Sequence, residues 1–296
     1  MPNPFSLPGP WLRGNLHSHT TESDGPYSPQ ATVDLYAATG HDFLAFTDHG
    51  KNTPVKSVDP RGMLLISGVE LSLPGGSFGG GLHVVVLGID TVPQVPFDAS
   101  PQEAMSAVAR QSSLCFVAHP YWSLVDCEQL LPLEGYIGME VFNTGCLMDH
   151  HRGGSEAAWD ALLAHGRPVW GLAVDDGHRP EDMAYAWTTV KTPDRSVEAI
   201  LAALRRGEFY ASTGPELRDL RLEGSDLVVS CSPCEQAALL GARVGCGAST
   251  WYQPGLPRPF EQARLPLPTA EVWLRVEVID AQGRKAWSNP FRPEEL

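Results

Sequence analysis

Long apolar runs and basic stretches typical of targeting or anchoring segments are not apparent in the 296 residues. No stretch of about 18 consecutive apolar residues occurs, so no membrane-spanning helix is predicted. The first residues, MPNPFSLPGPW, contain neither a basic stretch nor an apolar run and do not resemble a secretory signal. We therefore expect a soluble, cytoplasmic protein without a membrane partner.

The chain is also poor in positive charge. It has 21 Lys and Arg against 35 Asp and Glu, which gives a net charge of −14. A field of this sign repels phosphate backbones at long range, so we do not expect a nucleic-acid polymer as a partner. A small anionic substrate is still compatible, because a metal ion would make the local charge positive.

Cysteines are few and scattered, at positions 115, 127, 146, 231, 234 and 246. This pattern favours reduced thiols over a disulfide framework. Cys231 and Cys234 have the spacing of a zinc knuckle, but no second pair follows at a suitable distance, so we do not expect zinc there. The glycine-rich stretch PGGSFGGG at 74–81 precedes a predicted strand, not a helix, and therefore predicts a mobile loop and not a phosphate-binding loop.

Short apolar runs alternate with helical segments as far as about residue 210. The runs are rich in Val, Ile, Leu and Phe, as in strands that are covered on both faces. They span residues 43–46, 63–69, 82–89, 114–118, 137–142 and 169–174. Ser28-Pro29, Ser100-Pro101 and Ser155 are typical of helix starts. The alternation predicts an α/β fold, either a barrel or a doubly wound sheet.

The pattern changes after Gly214. From Leu217 onward the chain has short alternating runs, such as DLVVSCS and VWLRVEVID, separated by Gly and Pro and without a helical period. These features predict a small antiparallel β module. We place the domain boundary here, with an α/β domain over 1–214 and the β module over 215–296.

Side chains that commonly bind metals follow the predicted strands. His17 and His19 come after the run 11–16 and face the same side of an extended chain. Further donors follow or end other runs, namely His49, Glu70, His119, Asp176 and His178. The carboxyl ends of parallel strands converge on one face, where active sites form. The sequence therefore predicts one metal site, with His17, His19 and Asp24 at one corner.

The remaining histidines are less decisive. His83 opens its predicted strand, so spacing alone leaves its role open. His41 and His165 are expected on the opposite face, in structural roles. His150 and His151 lie in an Arg- and Gly-rich loop on the active face, where contact with solvent or substrate is favoured over metal binding. Asp175 and Asp176 compete for one position, and we choose Asp176 because it shares a side with His178.

The ordered motifs together resemble the PHP (polymerase and histidinol phosphatase) family over about residues 12–180. They are HxH at 17–19 followed by SDG, then TDH, GVE, LHVVVLG, AHP and the DxH at 176–178. The stretches GLAVDDGH, LRRGEFYASTGP and RKAWSNPF are similar to a branch that includes carbaryl hydrolase, a carbamate-cleaving enzyme. The resemblance implies a distorted seven-stranded (β/α) barrel and a trinuclear site of Zn, Mn or Fe that hydrolyses phosphoesters.

The resemblance also implies which residues bind each ion. One ion would be held by His17, His19, Glu70 and Asp176. Glu70 would bridge to a second ion on His83 and His119, and the third would be held by Asp24, His49 and His178. No ligand position of the motif set is missing, which argues against a non-catalytic copy.

The expected chemistry follows from these ligands. Closely spaced ions can generate a metal-bound hydroxide at neutral pH, and no GxSxG or reactive-cysteine motif competes with it. His150, His151 or a metal-bound water could protonate the leaving oxygen. Arg179 could either clamp an anionic oxygen or form a surface ion pair. We expect a phosphoesterase for a small ester, with a carbamate or carboxylester hydrolase as the alternative and a non-catalytic metal-containing binding module as a third hypothesis.

Overall fold

The computed structural model of this chain describes residues 3–74, 81–112, 114–241, 243, 245–253, 255–268 and 273–296. The predicted glycine-rich loop lies, over 75–80, outside the described residues. The helices are α1 Pro29–Ala38, α2 Pro101–Gln111, α3 Pro120–Ser123, α4 Cys127–Leu130, α5 Thr144–His150, α6 Glu156–Ala164 and α7 Val197–Arg206. Among these described residues, no helix has the length and apolar character needed to cross a bilayer.

The strands follow the predicted apolar runs and continue beyond them. In the first part of the chain they are β1 Trp11–Asn15, β2 Phe43–Phe46, β3 Leu64–Leu73, β4 Leu82–Leu87, β5 Leu114–Val117, β6 Gly138–Asn143, β7 Trp170–Val174, β8 Trp187–Lys191 and β9 Phe209–Ser212. Further along they are β10 Leu217–Glu223, β11 Asp226–Cys234, β12 Gln236–Gly241, β13 Gly247–Ser249, β14 Phe260–Pro266, β15 Leu274–Ile279 and β16 Lys285–Ser288.

The described residues form one large mixed sheet and one small antiparallel sheet. The large sheet has the order β13-β12-β15-β16-β9-β8-β1-β2-β3-β4-β5-β6-β7. Parallel pairing joins β1, β2 and β3, and again β5, β6 and β7. The predicted α/β class is confirmed at this level.

Strand β4 breaks the parallel pattern that its apolar composition suggested. It runs antiparallel to both β3 and β5. Only residues 74–81 separate β3 from β4, and a parallel crossover needs about a dozen residues or more. The first residues of β4 therefore lie beside the last residues of β3.

The loops after β1 and β7 lie side by side at one end of the sheet. Ser18 and Gly177 form a parallel bridge, and the backbone N–H of Asp176 donates to the carbonyl of His17 at 2.9 Å. A second parallel bridge joins His49, just after β2, to Glu70 in β3. Segments that are far apart in sequence are thus fixed together where the predicted donors lie.

Local sequence explains why the helices begin where they do. The Ser28 side chain accepts from the N–H of Ala31 at the start of α1. Ser100 and Glu103 form a reciprocal capping box at α2, which satisfies N–H groups that would otherwise lack partners. Gly207 ends α7 at φ 75°, a left-handed conformation that glycine adopts without steric cost.

The C-terminal strands contribute to both sheets. Strands β10, β11 and β14 form the small antiparallel sheet. Strands β12, β13, β15 and β16 extend the large sheet, because β16 pairs with β9 through Ala286 and Ser212. Buried Arg275 in β15 adds a bidentate ion pair to Asp160 of α6 at 2.7 and 2.8 Å. The antiparallel character was predicted, whereas the continuation of the large sheet was not.

Candidate metal centre

The structure brings the predicted donors together at one end of β1–β7, in three overlapping groups. We call them the inner group (His17, His19, Glu70 and Asp176), the bridged group (Glu70, His83 and His119) and the outer group (His19, Asp24, His49 and His178). The donor atoms of each group lie within 4.8 Å of one another. His19 in the outer group is an addition to the set that the motifs implied.

The inner group is compact and buried. The Nε2 atoms of His17 and His19 are 3.1 Å apart. Each lies 3.3 Å from Oε2 of Glu70. Oδ1 of Asp176 is 3.2 Å from His17 Nε2 and 2.9 Å from His19 Nε2. Four donor atoms therefore surround a single point.

Two carboxylate oxygens of the inner group lack a hydrogen-bond donor. They are Oε2 of Glu70 and Oδ1 of Asp176, both buried. An unpaired buried carboxylate oxygen is costly, because desolvation of the charge is not compensated. Both oxygens point at the imidazole nitrogens of the same group, so one cation between them would satisfy both.

Glu140 orients His17 of the inner group through the ring nitrogen that faces away from the other donors. Its Oε1 lies 2.7 Å from Nδ1 of His17, so His17 donates there and turns the lone pair of Nε2 towards the group. Glu140 Oε2 accepts from the backbone N–H of His119 and from Nδ2 of Asn143, each at 2.8 Å. Asn143 also donates to Oδ2 of Asp176 at 3.0 Å. One buried carboxylate in β6 thus fixes His17 and His119 directly and Asp176 through Asn143.

Glu70 joins the inner group to the bridged group. Its Oε1 is 2.8 Å from His83 Nδ1 and 3.1 Å from His119 Nε2. The antiparallel direction of β4 explains why His83 takes part, since it pairs with Ser72, two residues after Glu70 on the same face of β3. Ser72 Oγ holds the other ring nitrogen of His83 at 3.1 Å.

The outer group lies at the solvent edge. Oδ2 of Asp24 is 3.4 Å from His49 Nε2 and 3.5 Å from His178 Nε2, and its Oδ1 is 3.7 Å from His19 Nδ1. The side chains of Asp24, His49 and His178 are 53%, 39% and 35% exposed. These separations are wider than those of the inner group, and water reaches all three side chains.

Backbone conformation also aims two of the donors. Asp176 has φ 54° and His119 has φ 28°, backbone values that residues other than glycine rarely adopt. Such strain is typical of sites where the surrounding structure dictates a conformation. Here the hydrogen bond from Asp176 N to His17 O and that from His119 N to Glu140 fix the two residues.

Asp175 does not join the cluster. Its carboxylate is buried and accepts from Tyr36, from Thr144 and from the backbone N–H groups of residues 184–186. Burial raises its pKa to about 6 in spite of these donors. The structure therefore places Asp176 in the inner group and gives Asp175 a role in holding the neighbouring loop.

Charge and burial compete at the inner group. Burial lowers the pKa of His17, but the charges of Asp176, Glu140 and Glu70 outweigh it and raise that pKa well above its usual value. Burial also lowers the pKa of His19, but the negative carboxylates of Asp176 and Glu70 beside its ring outweigh burial and raise that pKa to about 9. The pKa values of Glu70 and Asp176 are lowered, although burial alone would raise them. The carboxylates thus require positive charge, from protons or from metal ions.

The groups open into a cavity of about 290 Å³. Asp149, Asp182, Cys146 and Trp122 line it together with the donors other than His17 and His19. Among the described residues of its wall there is no Lys or Arg. The cavity is therefore acidic wherever metal ions do not offset the carboxylates.

The three predicted non-ligand residues lie at the rim or beyond it. Arg179 is 60% exposed, and its Nη1 pairs with Oδ1 of Asp149 at 2.6 Å. Nδ1 of exposed His150 accepts from Trp122 Nε1 at 3.4 Å. Exposed His151 ends α5 with φ 55°. None of the three is among the described residues that line the cavity.

Two histidines predicted to be structural lie away from the groups. His41 is buried, with Thr39 Oγ1 3.1 Å from its Nδ1. His165 is exposed after α6, with Nδ1 2.8 Å from the carbonyl of Ala161. Neither belongs to a metal-type group among the described residues.

Sequence reasoning missed the residues that support the donors. Besides Glu140 and Asn143, it missed Asp48, which is buried and accepts from the backbone N–H of Thr20 at 2.7 Å and from Ser23 Oγ at 2.8 Å. Asp48 thereby shapes the loop that carries Asp24. One signal was present, because GMEVFN places a carboxylate and an amide in an otherwise apolar strand.

Comparison with known proteins gives a short match in sequence. No protein-family model matches the chain. The 3',5'-nucleoside bisphosphate phosphatase of Chromobacterium violaceum is 36% identical over 80 residues, which cover 26% of this chain and 27% of that protein. The chain therefore spans about a quarter of the length of this curated relative.

A match in structure covers nearly the whole chain. A two-domain protein from Bacteroides vulgatus, described as containing a predicted PHP-like metal-dependent phosphoesterase, is similar with a TM-score of 0.54 and 17% identity. The similarity covers 95% of each chain. At this identity it shows a shared fold, which confirms the PHP resemblance at the level of the fold.

Proposed function

We propose that this chain is a metal-dependent hydrolase that cleaves a small phosphate ester at a centre of up to three divalent ions. Strands β1–β7 would form the distorted seven-stranded barrel, within a domain spanning 1–214, and 215–296 would be an accessory β module. The observation that carries the proposal is the pair of buried, donor-less oxygens on Glu70 and Asp176, which face two imidazole nitrogens. The bisphosphate phosphatase that matches part of the chain supports a phosphate ester as substrate.

The donor set fits a divalent transition metal. Zinc binds nitrogen and oxygen ligands at about 2.0–2.1 Å, so tetrahedral ligands lie about 3.3 Å from one another. The separations between donor atoms within the inner group, 2.9 to 3.3 Å, are close to that value. Imidazole with carboxylate also suits manganese and iron.

We assign the ions to the three groups. The inner group would hold the first ion, the bridged group the second, and Asp24, His49 and His178 the third, with His19 Nδ1 facing that third position. When bound, such ions make water a nucleophile at neutral pH and neutralise charge on the phosphoryl oxygens. The cavity admits a small ester beside them.

The protein's own residues would position the reaction. Glu140 keeps the Nε2 lone pair of His17 directed at the inner group. We propose His150 as the proton donor to the leaving oxygen, because its Nδ1 accepts from Trp122 on the cavity wall and its proton is then on Nε2. His151 is the second candidate for this role.

The test combines metal analysis with turnover. A strong chelator at mildly acidic pH should remove the ions and abolish hydrolysis of phosphate esters, since protons compete for the histidines. Activity should return with Mn, Zn or Fe. Full turnover by protein shown to be metal-free would contradict the proposal, and a protein that holds metal yet turns over no ester would be the binding module instead.

A carbamate or carboxylester hydrolase is the second candidate, favoured by the lack of Lys and Arg in the described wall of the cavity and by the pairing of Arg179 with Asp149. A phosphate monoester carries about two negative charges and a carbamate ester none. If Arg179 clamps phosphate, Arg179→Ala should lower kcat/KM for phosphate esters by roughly 10- to 100-fold and leave a neutral ester unchanged. The second candidate would be favoured if the wild type and Arg179→Ala cleaved phosphate esters at equal rates and the wild type cleaved an aryl carbamate rapidly.

A further inference from the structure

Trp122 stands out in the wall of the cavity. Among the described residues there, it is the only one with a large apolar side chain, since the others are acidic residues, histidines, Gly145 and Cys146. Trp122 is 36% exposed. An indole partly open to water beside a polar centre offers an apolar surface to a ligand in the cavity.

The indole is held in place by its neighbours. Its ring centroid lies 5.0 Å from that of His119 and 6.0 Å from that of His83. On the other side Trp122 Nε1 donates to His150 Nδ1. The short helix α3 that carries Trp122 is tied down, because Ser123 Oγ lies 3.0 Å from His119 Nδ1 and the N–H of Tyr121 donates to Ser155. A rigid ring next to the bridged group loses little entropy when a ligand packs against it.

We propose that Trp122 is the stacking wall of a subsite for a planar aromatic group carried by the ester. This inference rests on the proposed hydrolase function and names the substrate class. The described residues of the acidic wall include no Lys or Arg to bind the non-reacting part of a substrate, so among them recognition of that part falls to the indole. An aryl ester and a nucleotide both carry a suitable ring, and the shared feature is the flat π-face.

The test uses paired substrates that differ in the ring. 2-Naphthyl phosphate is compared with methyl phosphate, and adenosine 5'-monophosphate with ribose 5-phosphate. Trp122→Ala also removes the hydrogen bond to His150, and that loss should lower kcat for both members of a pair alike. The ratio of kcat/KM for the ring-bearing member to that for its ring-free partner should fall by roughly 10- to 100-fold in at least one pair, mainly through KM of the ring-bearing member. The pair that responds identifies the source of the ring. Trp122→Phe keeps a flat ring but not the N–H that faces His150, so it should retain most of the preference for the ring-bearing substrate.

Two controls separate stacking from structural support. Tyr121→Ala removes the adjacent exposed aromatic residue, which does not line this cavity, and should leave both pairs unchanged. Metal content of Trp122→Ala should equal that of the wild type. Equal loss for ring-bearing and ring-free substrates, or loss of metal, would show that Trp122 only supports His119 and His83 and would overturn the inference.

A binding measurement keeps the inference separate from the proposed activity. Calorimetry with 2-naphthol, which contains no ester, should show binding to the metal-loaded wild type and a weakening of roughly 10-fold or more in Trp122→Ala. This result would support the subsite even if no phosphate ester were hydrolysed. Equal binding to both proteins, or no binding to the wild type, would overturn it.

Discussion

The inner and outer groups use the same kinds of side chain in different surroundings. In the inner group the side chains of His17 and His19 are fully buried and that of Glu70 is 1% exposed. In the outer group the side chain of Asp24 is 53% exposed. Buried charges attract or repel one another strongly because little water lies between them, whereas water and salt screen exposed charges. We therefore expect the inner position to bind its ion tightly and the outer position to exchange its ion with solution.

Glu70→Gln should have the largest effect, because Glu70 serves both the inner and the bridged group. Two ions should be lost together, and kcat/KM should fall by more than about 100-fold, since even an outer hydrogen-bond partner is worth roughly 10- to 100-fold. Metal stoichiometry and kinetics of the purified variant measure both. Exposed Glu181→Gln is the matched control. Loss of one ion alone would refute the bridging assignment.

Glu140→Gln should come next. The amide keeps the volume of the side chain but removes the charge that faces His17 and the backbone N–H of His119. Metal affinity of the inner group should fall roughly 10- to 100-fold, with the outer position unaffected. A titration with a competing chelator gives both constants. If the outer ion were lost first, the proposed link between Glu140 and the inner group would be wrong.

His178→Ala should have a smaller and reversible effect. It removes one exposed donor of the outer group, so one ion should be lost on dialysis, and excess metal should restore activity to within about tenfold of the wild type. The comparison with Glu70→Gln is informative, because identical stoichiometry in the two variants would mean that the groups do not bind separate ions.

The smallest effect concerns the contribution of buried His41, which lies away from the three groups, to the stability of the fold. Burial and the charge of Arg13 lower the pKa of His41 to about 3. The unfolded chain therefore binds one more proton than the folded protein between about pH 6.5 and 3, and stability falls as pH decreases through that range. At pH 5 the shifted pKa of His41 lowers the free energy of unfolding by about 2 kcal/mol relative to pH 7.

Denaturation of His41→Gln with urea at pH 7 and pH 5 tests this sign. The variant should lose less stability than the wild type between the two values. His165→Gln, at an exposed histidine, should behave as the wild type does. A variant that is as acid-sensitive as the wild type would show that His41 is not the group responsible.

The sequence predicted which residues gather, because donors after successive strands share one end of a sheet. Spacing alone left the role of His83 open, because strand direction depends on pairing partners and β4 is antiparallel. Only the family resemblance implied His83 as a ligand. Glu140 was missed because a carboxylate inside a buried strand gives no periodic signal. The β9–β16 pairing was missed for a related reason, as it depends on contacts between distant segments.

The pairing of β1 has a consequence for the order of folding. β1 is hydrogen-bonded on one side to β2 and on the other to β8, where Trp11 pairs with Lys191. Chains fold from the N-terminus as they are synthesised, so one edge of β1 has no partner until β8 has left the ribosome. An open strand edge invites pairing with other chains. His17 and His19 follow the C-terminal end of β1. A nascent chain can therefore complete the inner group only after β7 and Asp176 have been made.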